Sequence, residues 1–363
     1  METYQSLLSV LSKKVKSNKA RLKTFACLIL AVIEERTVNL VVLASHHPEH
    51  TQQESHYRKF QRWFESWTLP WQDLAQMILD RLKKPSKGFM LSMDRTNWKF
   101  GKTHINILTL GIVVEKVTIP LVWLTLPPRT RKGNSHARHR ILLMKRALQV
   151  LPVGDIDFLA MDREFCGEEW LTWLNEQGVT WVLRVKSNTL FDAKYARKHP
   201  LTEHLKGQQK KKIWGMNLYF ASKKMLRGRT SYLYVVSNRL KPSEALAAYK
   251  KRWSIEVLFG HLKKKGFNLE ATHLKERRKI DKLIAVLALA FLFAFGWGAW
   301  LKNQSNKGII NLNAHQKRKS IFRLALDRLT AVFKRKSGEK HCHKSHSFVQ
   351  FINSEISPLI FVV

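Results

Sequence analysis

The chain has 363 residues, 45% of them apolar, enough to bury the core of two or three domains. Its 64 Lys and Arg outnumber 27 Asp and Glu, and the resulting +37 repels itself and calls for an anionic partner. Three scattered cysteines, Cys27, Cys166 and Cys342, with no CxxC pair, argue against a disulfide framework and for a reducing compartment. Nucleic acid is the first candidate for the partner, because neutralising phosphates releases counterions; a membrane surface or a ribosome is the plainer alternative.

Residues 1 to about 80 read as helical and basic, and the apolar run at 25–33 sits too deep for a signal peptide. Phe25–Glu35 predicts one apolar helix and Val38–Ala44 a shorter one. Ser55–Trp67 predicts a third, with Tyr57, Phe60 and Phe64 on one stripe and Arg58 and Arg62 on another. Three short helices with a basic last one resemble a helix-turn-helix reader of DNA, although a plain three-helix bundle gives the same pattern.

From residue 88 the pattern becomes strand-like. Phe89–Met93 is a short apolar run that ends at Asp94, and His104–Val114 and Val117–Leu126 are β-rich. Pro127, Pro128 and the basic stretch 129–134 form a loop. His136–Val150 predicts a helix, Asp157–Met161 a strand that ends at Asp162, Gly167–Gln177 a helix capped by Gly178, and Val179–Val185 a strand. This order predicts an α/β fold, a mixed sheet flanked by helices, in the arrangement of the ribonuclease H fold. Lys186–Leu240 interrupts it with two expected strands, Trp214–Ser222 and Ser231–Val236. Pro242 starts a long helix that Gly266 stops. Leu283–Leu301 carries no charge and is long enough to span a bilayer, yet an all-apolar helix also suits a buried core. His341, His343 and His346 around Cys342 fit no zinc spacing and read as a solvated basic tail.

Asp94 and Asp162 each follow a short apolar run, where side chains of α/β sheets reach a site. Two carboxylates brought close repel unless a cation lies between them. In the helix after Pro242, Tyr249, Arg252, Glu256 and Lys263 fall within roughly 60° of arc. A surface helix with an Arg252–Glu256 pair would look the same.

The spacing Tyr-x2-Arg-x3-Glu-x6-Lys resembles the motif of bacterial insertion-sequence transposases of the insertion sequence four family, matched at Tyr249, Arg252, Glu256 and Lys263. Ser92-Met-Asp94 and Ala160-Met-Asp162-Arg-Glu-Phe-Cys-Gly167 look like its two aspartate motifs, and the likeness runs from about residue 20 to 300. The resemblance implies an RNase H-like core in two parts, 86–186 and 242–301, split by a β-rich insertion at 187–241. A DNA-end-binding region would precede it at 1–85, and a basic region at 302–363 would join protomers. It also implies Asp94, Asp162 and Glu256 as catalytic carboxylates on Mg2+, or Mn2+ in its place. The reaction would be cleavage at the ends of an insertion sequence and joining of the freed 3′-hydroxyl to target DNA. Double-stranded DNA, as ends and target, and a second copy of the chain would be the partners, in the bacterial cytoplasm at the nucleoid and away from membrane. Tyr249 and Arg252 would hold the strand next to an everted base, Lys263 would grip phosphate, and Trp214 would receive the base. Trp214 as a strand-core residue is the alternative. A nuclease or resolvase of the same fold would share the carboxylates without joining DNA. A non-catalytic DNA-binding protein would explain the charge but not the motif.

Overall fold

The computed structural model describes residues 2–45, 52–127, 135–186, 189, 210–225, 231–333, 343–353 and 360–361. They fall into two compact units: Met1–Lys83 with Trp98–Thr103 and Leu258–Phe361, and Lys84–Asn97 with His104–Val257.

The first unit is mainly helical. It opens with α1 (Glu2–Lys14), α2 (Lys19–Glu35), α3 (Leu40–Ala44), α4 (Gln53–Ser66), α5 (Trp71–Asp80) and the two-residue β1 (Leu82–Lys83). The sequence places α2 at Phe25, but it begins six residues earlier. Asn18 caps it there by accepting from the Arg21 N–H at 2.9 Å, a start signal hidden among basic residues. The expected stripe of α4 holds: Phe60 and Phe64 are buried and Tyr57 is half-buried. Trp63 and Trp67 stack at 4.5 Å, and Phe25 lies 5.6 and 5.1 Å from them, so an aromatic core joins α2 to the end of α4.

The second unit is built on an eight-stranded mixed sheet. Its strands are β2 (Phe89–Phe100), β3 (Thr103–Val114), β4 (Val117–Thr125), β5 (Ile156–Met161), β6 (Trp181–Val185), β7 (Lys210–Ile213), β8 (Met216–Met225) and β9 (Ser231–Ser237). The helices of this stretch are α6 (Ala137–Leu148), α7 (Glu168–Glu176), α8 (Pro242–Lys251) and α9 (Trp253–Leu262). The strand order is β4-β3-β2-β5-β6-β9-β8-β7. β2, β5 and β6 are parallel, and β9, β8 and β7 add on antiparallel. The first five strands give the RNase H-like arrangement. Among the described residues of 187–241, β7, β8 and β9 extend the same sheet, one strand more than the sequence suggests. Within β3, Gly111 sits at a register shift, where a Cβ would collide with the Ile119 carbonyl of β4.

The long helix expected after Pro242 is two helices. Arg252 N–H bonds to Tyr249 O at 3.0 Å and Ile255 N–H to Arg252 O at 3.2 Å, so the chain tightens there to hydrogen bonds that span three residues. Ala245, Ala248 and Tyr249 of α8 pack on Phe158, Ala160, Val182 and Val235 of the sheet.

The rest of the first unit holds α10 (Arg277–Asn306), α11 (Ala314–Arg318), α12 (Ile321–Phe333), α13 (His343–Asn353) and β10 (Ile360–Phe361), which pairs with β1. α10 is long and apolar enough to cross a bilayer, and 89% of its most apolar 18-residue window is buried in the fold. It packs on α2 and α12, and Gly298 lets the backbone at Ile321 approach where a Cβ would collide. At its polar end the buried Lys282 ammonium donates to Phe64 O at 2.6 Å and Glu65 O at 3.2 Å, closing the C-terminus of α4.

Candidate active site

The parallel ladder of β2 and β5 stops at the pair Met93 and Met161. Asp94, still within β2, and Asp162, the first residue past β5, come next, so both carboxylates lie where the ladder ends. β2 itself continues to Phe100; its polar residues alternate with buried Thr96 and Trp98, which the apolar run alone does not show. Glu256 lies in the first turn of α9, just past the tightening at Arg252.

Arg252 is 5% exposed and joins the three acids. Its Nη1 donates to Asp94 Oδ2 at 3.1 Å and its Nη2 to Glu256 Oε1. Its Nε donates to the Tyr249 hydroxyl at 3.0 Å, and that hydroxyl donates to Asp162 Oδ1 at 3.2 Å. One guanidinium and one phenol therefore tie three carboxylates into a single network. Thr118 and Ser254 share a buried 2.7 Å hydrogen bond that fixes the start of α9 to the sheet.

Burial pushes the Asp94 carboxyl up to about 7, more than the Arg95 N–H and the Arg252 charge pull it down; Glu164 and Asp162 push the same way. Burial also raises the Tyr249 phenol to about 12, so it stays a donor. Burial works against the Arg252 charge, but Tyr249, Glu256, Asp94 and Asp162 outweigh it and hold the guanidinium protonated.

The other expected site residues have separate settings. Lys263 belongs to the helical unit and pairs with Glu270 at 2.9 Å. Trp214 is not within a strand: it forms the two-residue turn between β7 and β8 with Gly215, at φ 50° and 73°, and is half-buried. Arg58 pairs with Glu54 on an exposed helix face, a pair of small energetic weight. Arg62 is exposed and, with Tyr57 and Gln61, lines a cavity of about 500 Å³ in the helical unit. His341 and Cys342 lie outside the described residues, as do the side chains of His343 and His346.

Residues 81–293 match the sequence model of the transposase DDE domain. The chain belongs to the transposase DDE domain family. All three carboxylates, Arg252 and Tyr249 lie inside the matched segment. A solved piggyBac transposase synaptic complex with hairpin DNA is similar at 14% identity and a TM-score of 0.48, over 97% of this chain and 83% of that one. That likeness is too remote to assign anything. No curated protein sequence matches the chain.

The chain is thus a DDE transposase, an enzyme acting on DNA, and such enzymes use divalent metal ions. The donor set is carboxylate oxygens, which suit a hard divalent cation, and burial, helped by Glu164 and Asp162, favours the neutral Asp94 while no cation is present. As the side chains stand, no three His, Cys, Asp or Glu among the described residues are grouped to hold an ion. Arg252 lies between Asp94 and Glu256, and the Glu256 side chain is 35% exposed. An ion held by Asp94 would require that carboxyl to lose its proton. Affinity for Mn2+ should therefore rise by about tenfold per pH unit up to about 7 and level off above. Without metal the sign reverses for stability: the raised Asp94 stabilises the fold below 3.8 and this is lost as pH climbs through about 7. Calorimetric titration of the transposase with Mn2+ from pH 5.5 to 8 checks this, and a flat affinity would remove Asp94 from the metal site.

Two groups that sequence reading left without a role stand beside the aspartates. Arg95 Nη2 bonds to Glu164 Oε2 at 3.1 Å, Arg95 Nε to Glu164 Oε1 at 3.3 Å, and Arg95 Nη1 to Asn106 Oδ1 at 2.6 Å. Glu164 is part of the run that begins at Asp162, but nothing local in the sequence names its partner on another strand.

Proposed function

We propose that Asp94, Asp162 and Glu256 are the metal-binding carboxylates of an insertion-sequence transposase of the insertion sequence four type, which cuts element ends and joins the freed 3′-hydroxyls to target DNA. The convergence of these three acids on the Arg252–Tyr249 network, where the parallel β2–β5 ladder ends, carries the reading. The two aspartates and Glu256 would hold Mg2+, with Mn2+ as substitute. When bound, the metal stabilises charge on the attacking and leaving oxygens of an in-line displacement.

The chain's own part is positioning. Arg252 neutralises Asp94 and Glu256 while no DNA is present; its planar fork then suits a phosphate beside the cut. Tyr249 stays protonated and steers Asp162 through its hydroxyl. Lys263 serves as a phosphate contact, and Arg58 and Arg62 present cations of the helical region to the element end. Water attacks the end phosphodiester and releases a 3′-hydroxyl, which attacks the target phosphate, with no covalent bond to the protein. Two copies acting together on paired ends, in the bacterial cytoplasm at the nucleoid, complete the reading. The +37 charge supports the DNA partner, and the burial of α10 supports a core helix over a membrane span.

The test is incubation of the protein with labelled element ends, Mg2+ and a plasmid target. Joined product supports transposition. Cleaved ends with no joined product over the same time course would favour a nuclease or resolvase.

Trp214 is proposed to receive the flipped base. A non-glycine residue at φ 50° on a hairpin tip costs backbone strain, which a structural role in a strand core would not require. Trp214→Ala should slow cleavage by about tenfold, as a stacked base is worth about 1–3 kcal/mol. An abasic site at the flipped position should restore the rate, because the unstacking cost is then already removed. A lowered melting temperature with no abasic rescue would return Trp214 to a packing role.

A further inference from the structure

Beyond Met93 and Met161 no ladder hydrogen bond holds β2 to β5, yet the two aspartates that follow must keep a fixed spacing to share an ion. What bridges the gap is a side-chain pair. Arg95, next to Asp94, grips Glu164, two residues after Asp162, through two hydrogen bonds at 3.1 and 3.3 Å. The pair is sheltered, with side chains 10% and 19% exposed. Each partner is held from behind. Asn106 of β3 accepts from Arg95 at 2.6 Å. The turn Arg163–Phe165 that carries Glu164 is closed by Phe165 N–H to Asp162 O at 3.0 Å. Buried Arg140 donates to Glu164 O at 2.8 Å and lies over the Phe165 ring at 5.1 Å. Meanwhile the Arg95 N–H donates to Asp94 Oδ1 at 2.7 Å, so the residue that grips Glu164 also orients the first aspartate.

We propose that Arg95 and Glu164 are positioning residues: their two-bond pair is the clamp that sets the separation of Asp94 and Asp162 and so the fit of the site to a divalent ion. The proposal rests on the reading of those aspartates as metal ligands. An ordinary buried ion pair would contribute only to folding. A clamp makes a different demand, because Mg2+ tolerates little deviation from octahedral geometry, and partners behind the ligands govern affinity.

The experiment uses the full chain. Mn2+ binding is measured by calorimetry and by electron paramagnetic resonance, alongside the melting temperature and the cleavage rate against DNA concentration. Glu164→Gln keeps the shape and loses the charge; Arg95→Lys keeps the charge and loses the fork. Each should weaken Mn2+ binding by about 10- to 100-fold and lower kcat similarly, with KM for DNA unchanged. The double variant should be no worse than either single one, since both break the same clamp. Asp94→Asn separates the two readings. If wild type binds Mn2+ and Asp94→Asn does not, the metal site stands; Glu164→Gln and Arg95→Lys binding Mn2+ within twofold of wild type would then overturn the clamp alone. If wild type and Asp94→Asn bind Mn2+ equally, the metal site fails first. Should Glu164→Gln fail to fold, Arg95→Lys decides by the same affinity.

Discussion

Asp94→Asn, Asp162→Asn and Glu256→Gln should each lower cleavage and joining by on the order of 10³-fold or more, with binding to element ends nearly unchanged. The amide keeps the shape and removes the charge that would hold metal. The fold should tolerate the change, because burial already favours the neutral acid at Asp94, with its carboxyl at about 7. In Asp162→Asn the new amide oxygen would still accept from Tyr249, and Glu256→Gln would leave Arg252 paired with Asp94. End binding would draw on the net charge of +37, so a single carboxylate hardly alters it. Gel-shift and cleavage assays on the same preparations check both halves. Wild-type cleavage by any of the three variants would remove that residue from the triad.

Ala290→Asp should abolish folding. Ala290 is fully buried in the middle of α10, within the window that is 89% buried. An unpaired carboxylate there would be shut off from water, and its desolvation cost would take up much of what a marginally stable domain has to spare, about 5–15 kcal/mol in all. The expected result is insoluble chain with no DNA binding. Asn303→Asp, exposed on the last turns of the same helix, is the control and should fold normally. Soluble, DNA-binding Ala290→Asp would mean that the helix is not core. Recovery of the intact protein only from membranes, resistant to carbonate extraction, would make α10 a span.

What the sequence could show was what is local. Short apolar runs before Asp94 and Asp162 mark strands of a buried sheet, and the spacing of Tyr249, Arg252 and Glu256 places three polar groups on one helix face. These three do meet, through Arg252. Lys263, counted on the same stripe, pairs with Glu270, seven residues further on and outside that helix. Trp214 looks like the start of a strand because Trp favours strands, but Gly215 makes the pair a two-residue hairpin turn. The placement of β9, β8 and β7 beside β6 was equally hidden, since alternation tells which residues are inward and not which strand lies alongside. The Arg95–Glu164 pair is non-local by 69 residues, beyond the reach of periodicity.

Arg252 and Asp94 are 158 residues apart in the chain and 3.1 Å apart in space. Closing a loop of that length costs entropy that only the finished sheet can repay, and contacts of such range put folding at the slow end for domains of this kind. The first two acids are on strands that can pair early; the third arrives only when α8 has settled on β5, β6, β8 and β9. A chain still being synthesised, or one cut short before residue 252, carries two aspartates and an unbridged gap where Arg252 belongs. On the roles proposed for these acids, DNA cutting would wait until synthesis has passed residue 256 and the helix has docked.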